Sequence, residues 1–173
     1  MTSTIPAVVS RAAGNGRIIA ASLPPGSQLT DGIEQVCVEH GVETAVILSV
    51  IGTIEEIRLR NPRDITTLPI HQEHEFADEI DTVVLRRPME ILSIQGNVMM
   101  LEGKLWAHCH GLFSEAGGQV RGGHVFRGTI WSQGEVFIQE LSGIRIDREK
   151  EMEITGLPQI RLHGCDVGPG DGR

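Results

Sequence analysis

The sequence predicts one α+β domain built on a mainly antiparallel β-sheet with few helices. Three observations carry that expectation. Most of the chain is a succession of short β-branched, apolar runs with glycine or proline between them. Only one segment has the 3.6-residue period of an amphipathic helix. A chain of 173 residues suffices for one core rather than several.

Residues 1–16, small and polar with Gly14 and Gly16, are expected to form a flexible N-terminus. The domain then runs over 17–163, and the glycine-rich residues 164–173 form a second flexible end. Arg17 to Leu23 reads as the first strand, stopped by Pro24-Pro25-Gly26. The helix follows, from Ser27 or Thr30 to His40. Ile33, Val36, Cys37 and His40 fall at i, i+3, i+4 and i+7, and Gly41 occupies the C-terminal cap position. Cys37 and His40 therefore read as members or neighbours of a buried stripe. Glu43 to Val50 is apolar throughout, the pattern of a strand covered on both faces. Gly52 is expected to break it before Ile54, Ile57 and Leu59 resume. Residues 61–81 read as a long polar loop, of a kind often functional in compact domains. Five strands follow: Thr82–Arg87, Glu90–Met100, Lys104–Phe113, Val120–Ile130 and Glu135–Leu141. Short connections between successive strands predict an antiparallel meander.

Composition removes several functions. A net charge of -8 repels nucleic acid and anionic membrane. With two Trp, four Phe and no Tyr, the chain lacks the stacking platforms of a single-strand or sugar binder. Cys37, Cys109 and Cys165 are odd in number and widely spaced, which fits a reducing compartment better than a disulfide framework. Met1 to Gly14 has no signal-peptide pattern, and the apolar run Ala45 to Ile51 is too short to span a bilayer. The expected location is cytoplasmic.

The residues richest in chemistry are Trp106-Ala107-His108-Cys109-His110-Gly111 and Arg121-Gly122-Gly123-His124-Val125. On a strand, His108 and His110 share a face and Cys109 takes the other. Ser114 to Gln119 is a turn by composition. A hairpin centred on Gly117 sets His110 opposite His124, with His108 one same-face step away. Imidazoles so placed can converge on one ion. A one-residue slip would undo this. Gly122 and Gly123 suit a bulge or a close approach. Three imidazoles without a thiolate suit Zn2+, or another divalent transition metal such as copper, nickel or iron. With Cys109 facing away, the fourth position is expected to be open, as in a catalytic zinc site.

Taken in order, Gly41, Ile51-Gly52-Thr53, Pro88-Met89-Glu90-Ile91-Leu92-Ser93-Ile94-Gln95-Gly96, His108-Cys109-His110, Gly122-Gly123-His124-Val125 and Glu135-Val136-Phe137-Ile138 resemble the plant and prokaryote conserved domain family. The resemblance extends from about Arg17 to Leu141. It implies a bent antiparallel sheet in an α+β fold, a homotrimer, and a metal site on His108, His110 and His124 as in the prokaryotic branch. The plant branch joins the domain to AT-hooks and acts on DNA. This chain has no Arg-Gly-Arg-Pro hook, is acidic, and keeps all three histidines.

Glu90, which matches the family's glutamate, is a candidate general base or a partner for an imidazole N–H. Arg121, three residues before His124, is a candidate grip for a substrate carboxylate or else a rim salt bridge. Glu135 reads as structural, and most arginines, Arg17, Arg58, Arg86 and Arg87 among them, read as surface charges. His71-Gln72-Glu73-His74-Glu75 reads as solvated acidic loop. Two functions remain in view. One is a metal-dependent enzyme or binder of a small anionic or carbonyl compound, acting by hydrolysis or by proton transfer beside a carbonyl. The other is a regulatory or DNA-associated module in which the metal is structural.

Overall fold

The computed structural model describes residues 8–61, 82–151 and 156–164. They form seven strands and one helix: β1 (Gly14–Leu23), α1 (Leu29–Glu39), β2 (Ala45–Arg60), β3 (Thr82–Leu101), β4 (Lys104–Ser114), β5 (Val120–Ser142), β6 (Ile144–Glu151) and β7 (Leu157–Gly164). The α+β expectation with few helices holds.

The helix forms where its period places it. Ile33, Val36 and Cys37 are buried, together with Leu29 at its start, and pack it against β5, β4 and β1. His40 is exposed at the C-cap, one position too late for the buried stripe. Gly41, at φ +64, takes the left-handed turn that ends the helix.

β2 is bonded to β3 along one edge and to β5 along the other. β4 pairs with both β3 and β5, so the path β2–β3–β4–β5 closes back on β2. The expected meander is therefore real for these four strands, but it is a ring. Closure satisfies edges that an open sheet would leave bare. β1 is not its first member; it lies along the C-terminal half of β5, from Gly14↔Ser142 to Leu23↔Gly134. It begins at Gly14, three residues before the expected strand start at Arg17.

Three expected breaks, at Gly52, at Pro88 and over residues 131–134, are continuous strand. At Gly52, φ is +138 and an added Cβ would collide with the carbonyl oxygen of Gln133, so glycine permits a close crossing rather than a stop. Pro88 lies where the β2–β3 register shifts, between Glu56↔Arg86 and Ile54↔Met89, so its missing N–H costs no ladder bond. The β6–β7 hairpin occupies residues 144–164, to which the pattern reading assigned no strand or helix. It joins β3 in parallel at Met100↔Asp147 and Leu101↔Arg148. Met99, Ile144 and Ile146 give it a small core of its own. The 61–81 loop beyond Asn61, with its His71 to Glu75 stretch, and the tail beyond Gly164 lie outside the described residues.

Candidate metal centre

The centre is built on the outward face of the ring by the β4–β5 hairpin. Gly117 and Gly118, at φ +91 and +82, make the turn, and Glu115 N–H donates to the Gln119 carbonyl at 2.8 Å. The ladder runs Ser114↔Val120, Leu112↔Gly122, His110↔His124 and Cys109↔Val125. The register is the one that puts the imidazoles together. Alternation buries Ala107, Cys109 and Phe113 in the core and leaves His108, His110 and His124 on the other face.

One ligand nitrogen from each of the three histidines lies within 4.8 Å of the other two. Ring centroids are 5.0 Å apart for His108–His124, 5.2 Å for His108–His110 and 5.3 Å for His110–His124. Nε2 of His110 is 3.3 Å from Nε2 of His108. A tetrahedral ion with metal–nitrogen bonds of ~2.0–2.1 Å has ligand–ligand edges of ~3.3 Å. The donor set therefore fits a zinc-like ion. Among the described residues these three are the one cluster of metal-binding type.

The surroundings of His108 favour its neutral, ligating form. Burial, then the charge of Arg148, then the two neighbouring histidines, push the His108 pKa down to about 4. Trp106 stacks on His108, with centroids 5.0 Å apart and planes at 18°. The Arg148 guanidinium covers that indole at 5.2 Å and donates to Asn97 Oδ1 at 3.0 Å. On the other flank Phe126 meets the His124 ring edge-on at 4.9 Å, and Arg58 lies over Phe126 at 5.7 Å. Below, Glu34 of α1 accepts the Ala107 N–H at 2.8 Å, which ties the strand to the helix just before His108. Burial pushes the Cys109 thiol up to about 12, with Glu34 adding to the shift. This thiol is an inert core group.

Glu90 and Arg121 are not part of the cluster. Glu90 is exposed and pairs with Ser114, four residues along β4 from His110. At ~3.3 Å per residue that is ~13 Å. Arg121 donates to Glu115 Oε1 at 3.2 Å, and Arg87 approaches the same oxygen at 3.1 Å, so Arg121 belongs to a rim ion-pair group. Arg17 and Arg86 are exposed and ion-paired, as their surface reading requires. Arg58 is different: its Nε is buried without a partner. Gly123 fits a close approach, since a Cβ there would lie 2.6 Å from Asn61 Oδ1 and 2.9 Å from the Arg60 carbonyl oxygen.

The sequence reading missed Arg148, Arg60 and Phe126. Ile57-Arg58-Leu59-Arg60 carries a period-two signal that puts Arg58 and Arg60 on one face, whereas alternation places Arg148 with Ile144 and Ile146, so no such pattern marks it.

The family description Plants and Prokaryotes Conserved (PCC) domain matches residues 10–142. The chain belongs to the PCC family. Its fold is similar to the plant- and prokaryote-conserved protein of Pyrococcus horikoshii, at 26% identity and a TM-score of 0.68, covering 90% of this chain and 100% of that one. It is also similar to the metal-containing protein AF0104 of Archaeoglobus fulgidus, at 29% identity and a TM-score of 0.69, covering 88% and 98%. A protein of Bacteroides thetaiotaomicron named as a candidate DNA-binding protein is 21% identical with a TM-score of 0.67, covering 88% and 99%, and shares the fold alone. The bifunctional protein GlmU of Synechococcus sp. is 24% identical over 150 residues, 86% of this chain. The PCC chain spans about a fifth of that protein's length (21%). No helix among the described residues is long and apolar enough to cross a membrane.

Proposed function

We propose that this PCC protein holds one divalent transition metal, zinc first among them, on His108, His110 and His124, and uses an open coordination position to bind or transform a small anionic or carbonyl compound. One observation carries the reading: three ligand nitrogens within 4.8 Å of one another, with no fourth protein ligand beside them among the described residues. The metal-containing relative from A. fulgidus supports a metal in this fold. When bound, such an ion supplies Lewis acidity to a carbonyl or oxyanion oxygen.

The protein's own groups do the positioning. Trp106 and Phe126 wall the imidazoles on two sides and fix their planes. The open side is at His110, the exposed member of the three. A cleft of ≈ 290 Å³ lies there, lined by Ser93, Gln95, His110, Leu112 and Gly123. That size suits a small molecule. Ser93 and Gln95 offer hydrogen bonds to orient it. Hydrolysis and proton transfer beside a carbonyl both remain compatible with these groups.

Self-association as a trimer belongs to the same proposal. Leu48, Ile51, Leu92, Leu112 and Phe137 are exposed apolar side chains on four strands, a surface that copies of the chain would cover. Solution mass reads this directly. Cytoplasmic residence is proposed on the odd, widely spaced cysteine pattern of the sequence alone.

Cobalt substitution tests the open position. Azide or a small carboxylate should change the cobalt spectrum as it enters the coordination sphere. A spectrum indifferent to every small anion would make the ion a closed structural staple and end the enzyme reading.

A further inference from the structure

The metal face carries an unusual charge inventory. Arg60 is directly opposite His124 in the β2–β5 ladder, and opposed residues share a face of the sheet. Leu59 and Val125 beside them point into the core, which puts Arg60 and His124 together on the outer face. Arg60 is nonetheless 8% exposed. Arg58, one same-face step along β2, reaches His124 through Phe126. Arg148 stands on the opposite flank behind Trp106. The Nε atoms of all three are buried without a hydrogen-bond partner. Every ion pair among the described residues uses other cations, so no described carboxylate neutralises these arginines.

Burying an unpaired guanidinium is costly, and proteins keep such groups only where a counter-charge arrives. Three arginines with a buried, unbonded Nε frame one histidine cluster, in a chain whose net charge is -8. Arg148 already spends two donors on Asn97 Oδ1 and the Pro158 carbonyl. Arg58 and Arg60 have no such hydrogen bond among the described residues. Guanidinium is the side chain that recognises carboxylate and phosphate in a fork geometry.

We infer that Arg60 and Arg58 receive a carboxylate or phosphate group of the ligand whose other end reaches His108, His110 and His124. The placement of that other end rests on the metal reading above; the arginine end does not. The ligand is then at least bifunctional and spans the centre from flank to flank, with an anionic handle on β2 beyond His124 and a polar head at the histidines, toward the Ser93–Gln95 cleft on the β3 flank. Its selection against neutral analogues follows from leaving buried Arg60 and half-buried Arg58 without a counter-charge.

The test is calorimetric titration of the full-length, metal-loaded protein with inorganic phosphate and with malonate. Wild type should bind at least one of them, and the tighter of the two identifies the handle as phosphate or carboxylate. Arg60→Gln and Arg58→Gln should each weaken that binding about 10- to 100-fold, the worth of a charged hydrogen bond, with metal content unchanged. Without anion, Arg60→Gln should unfold no earlier than wild type, because no internal ion pair is lost. The anion should raise the wild-type unfolding temperature more than that of the variant. No binding of either anion to wild type overturns the inference. So does wild-type affinity in both variants, which would put the anion on the ion alone. A variant destabilised equally with and without anion also overturns it, by showing that a carboxylate of the protein is the partner. Full metal occupancy in all three histidine→alanine variants would instead sink the metal reading and leave the arginine result standing.

Discussion

Gly96 couples the fold to the metal centre, and alanine at that position makes the coupling measurable. Gly96 faces Cys109 across the β3–β4 ladder, with His108 and His110 on either side of the contact. An added Cβ would run into the backbone carbonyl oxygen of His108, with Cys109 Cα and the His108 carbonyl carbon both at 3.1 Å. The obstacle is backbone, so no rotamer change relieves it and the two strands must part. Overpacking of this kind costs ~1–3 kcal/mol. At ~2 kcal/mol, a domain of this size loses roughly 4–8 °C in Tm. The same displacement moves the two imidazoles of β4, and a disturbed ligand orientation costs about 10- to 100-fold in metal affinity. Gly26→Ala is the control. At φ +82 with nothing within 4 Å of the added Cβ, it should cost about 1–2 kcal/mol in backbone strain alone and leave metal affinity unchanged. Calorimetric unfolding and a competitive chelator titration read the two quantities. Wild-type Tm and wild-type metal affinity in Gly96→Ala would refute the coupling.

Cys109→Ala should retain the ion, because the thiol points into the core, and should cost about 1–2 kcal/mol for the vacated volume, read by denaturant unfolding and metal analysis together. Glu34→Ala should destabilise by about 1–3 kcal/mol by leaving the Ala107 N–H without its acceptor. Glu34→Gln keeps an acceptor oxygen and should lose less, since burial already raises the Glu34 pKa and disfavours its charge. Equal losses in the two Glu34 variants would discard the hydrogen bond as the cause. Duplex DNA should not be retained at physiological salt, since a chain of net charge -8 gains little from counterion release. Submicromolar, salt-sensitive retention in a gel-shift assay would favour the regulatory reading.

What the sequence made legible was local. The 3.6 period located α1 within two residues, and strand alternation with a glycine turn gave the facing of His110 and His124, because both depend on neighbours near in the chain. What it hid was long-range. Closure of β2 between β3 and β5 needs pairings some 80 residues apart, which no single strand encodes. Gly52 and Pro88 look like breaks until the partner strand shows a crossing and a register shift that accept them. Arg58 looks like a surface charge until Phe126 is brought under it from β5. Arg148 reaches the histidines only through the parallel contact of β6 with β3.

Elemental analysis of the purified wild-type chain beside His108→Ala, His110→Ala and His124→Ala tests the central claim most directly. Wild type should carry about one zinc-like ion per chain. Structural zinc binding worth ~10–16 kcal/mol over four ligands implies ~3 kcal/mol for each, so each variant should bind ~100- to 1000-fold more weakly and emerge from gel filtration largely empty. Full occupancy in all three variants, or a wild-type chain that takes up no ion from equimolar zinc, would contradict the account.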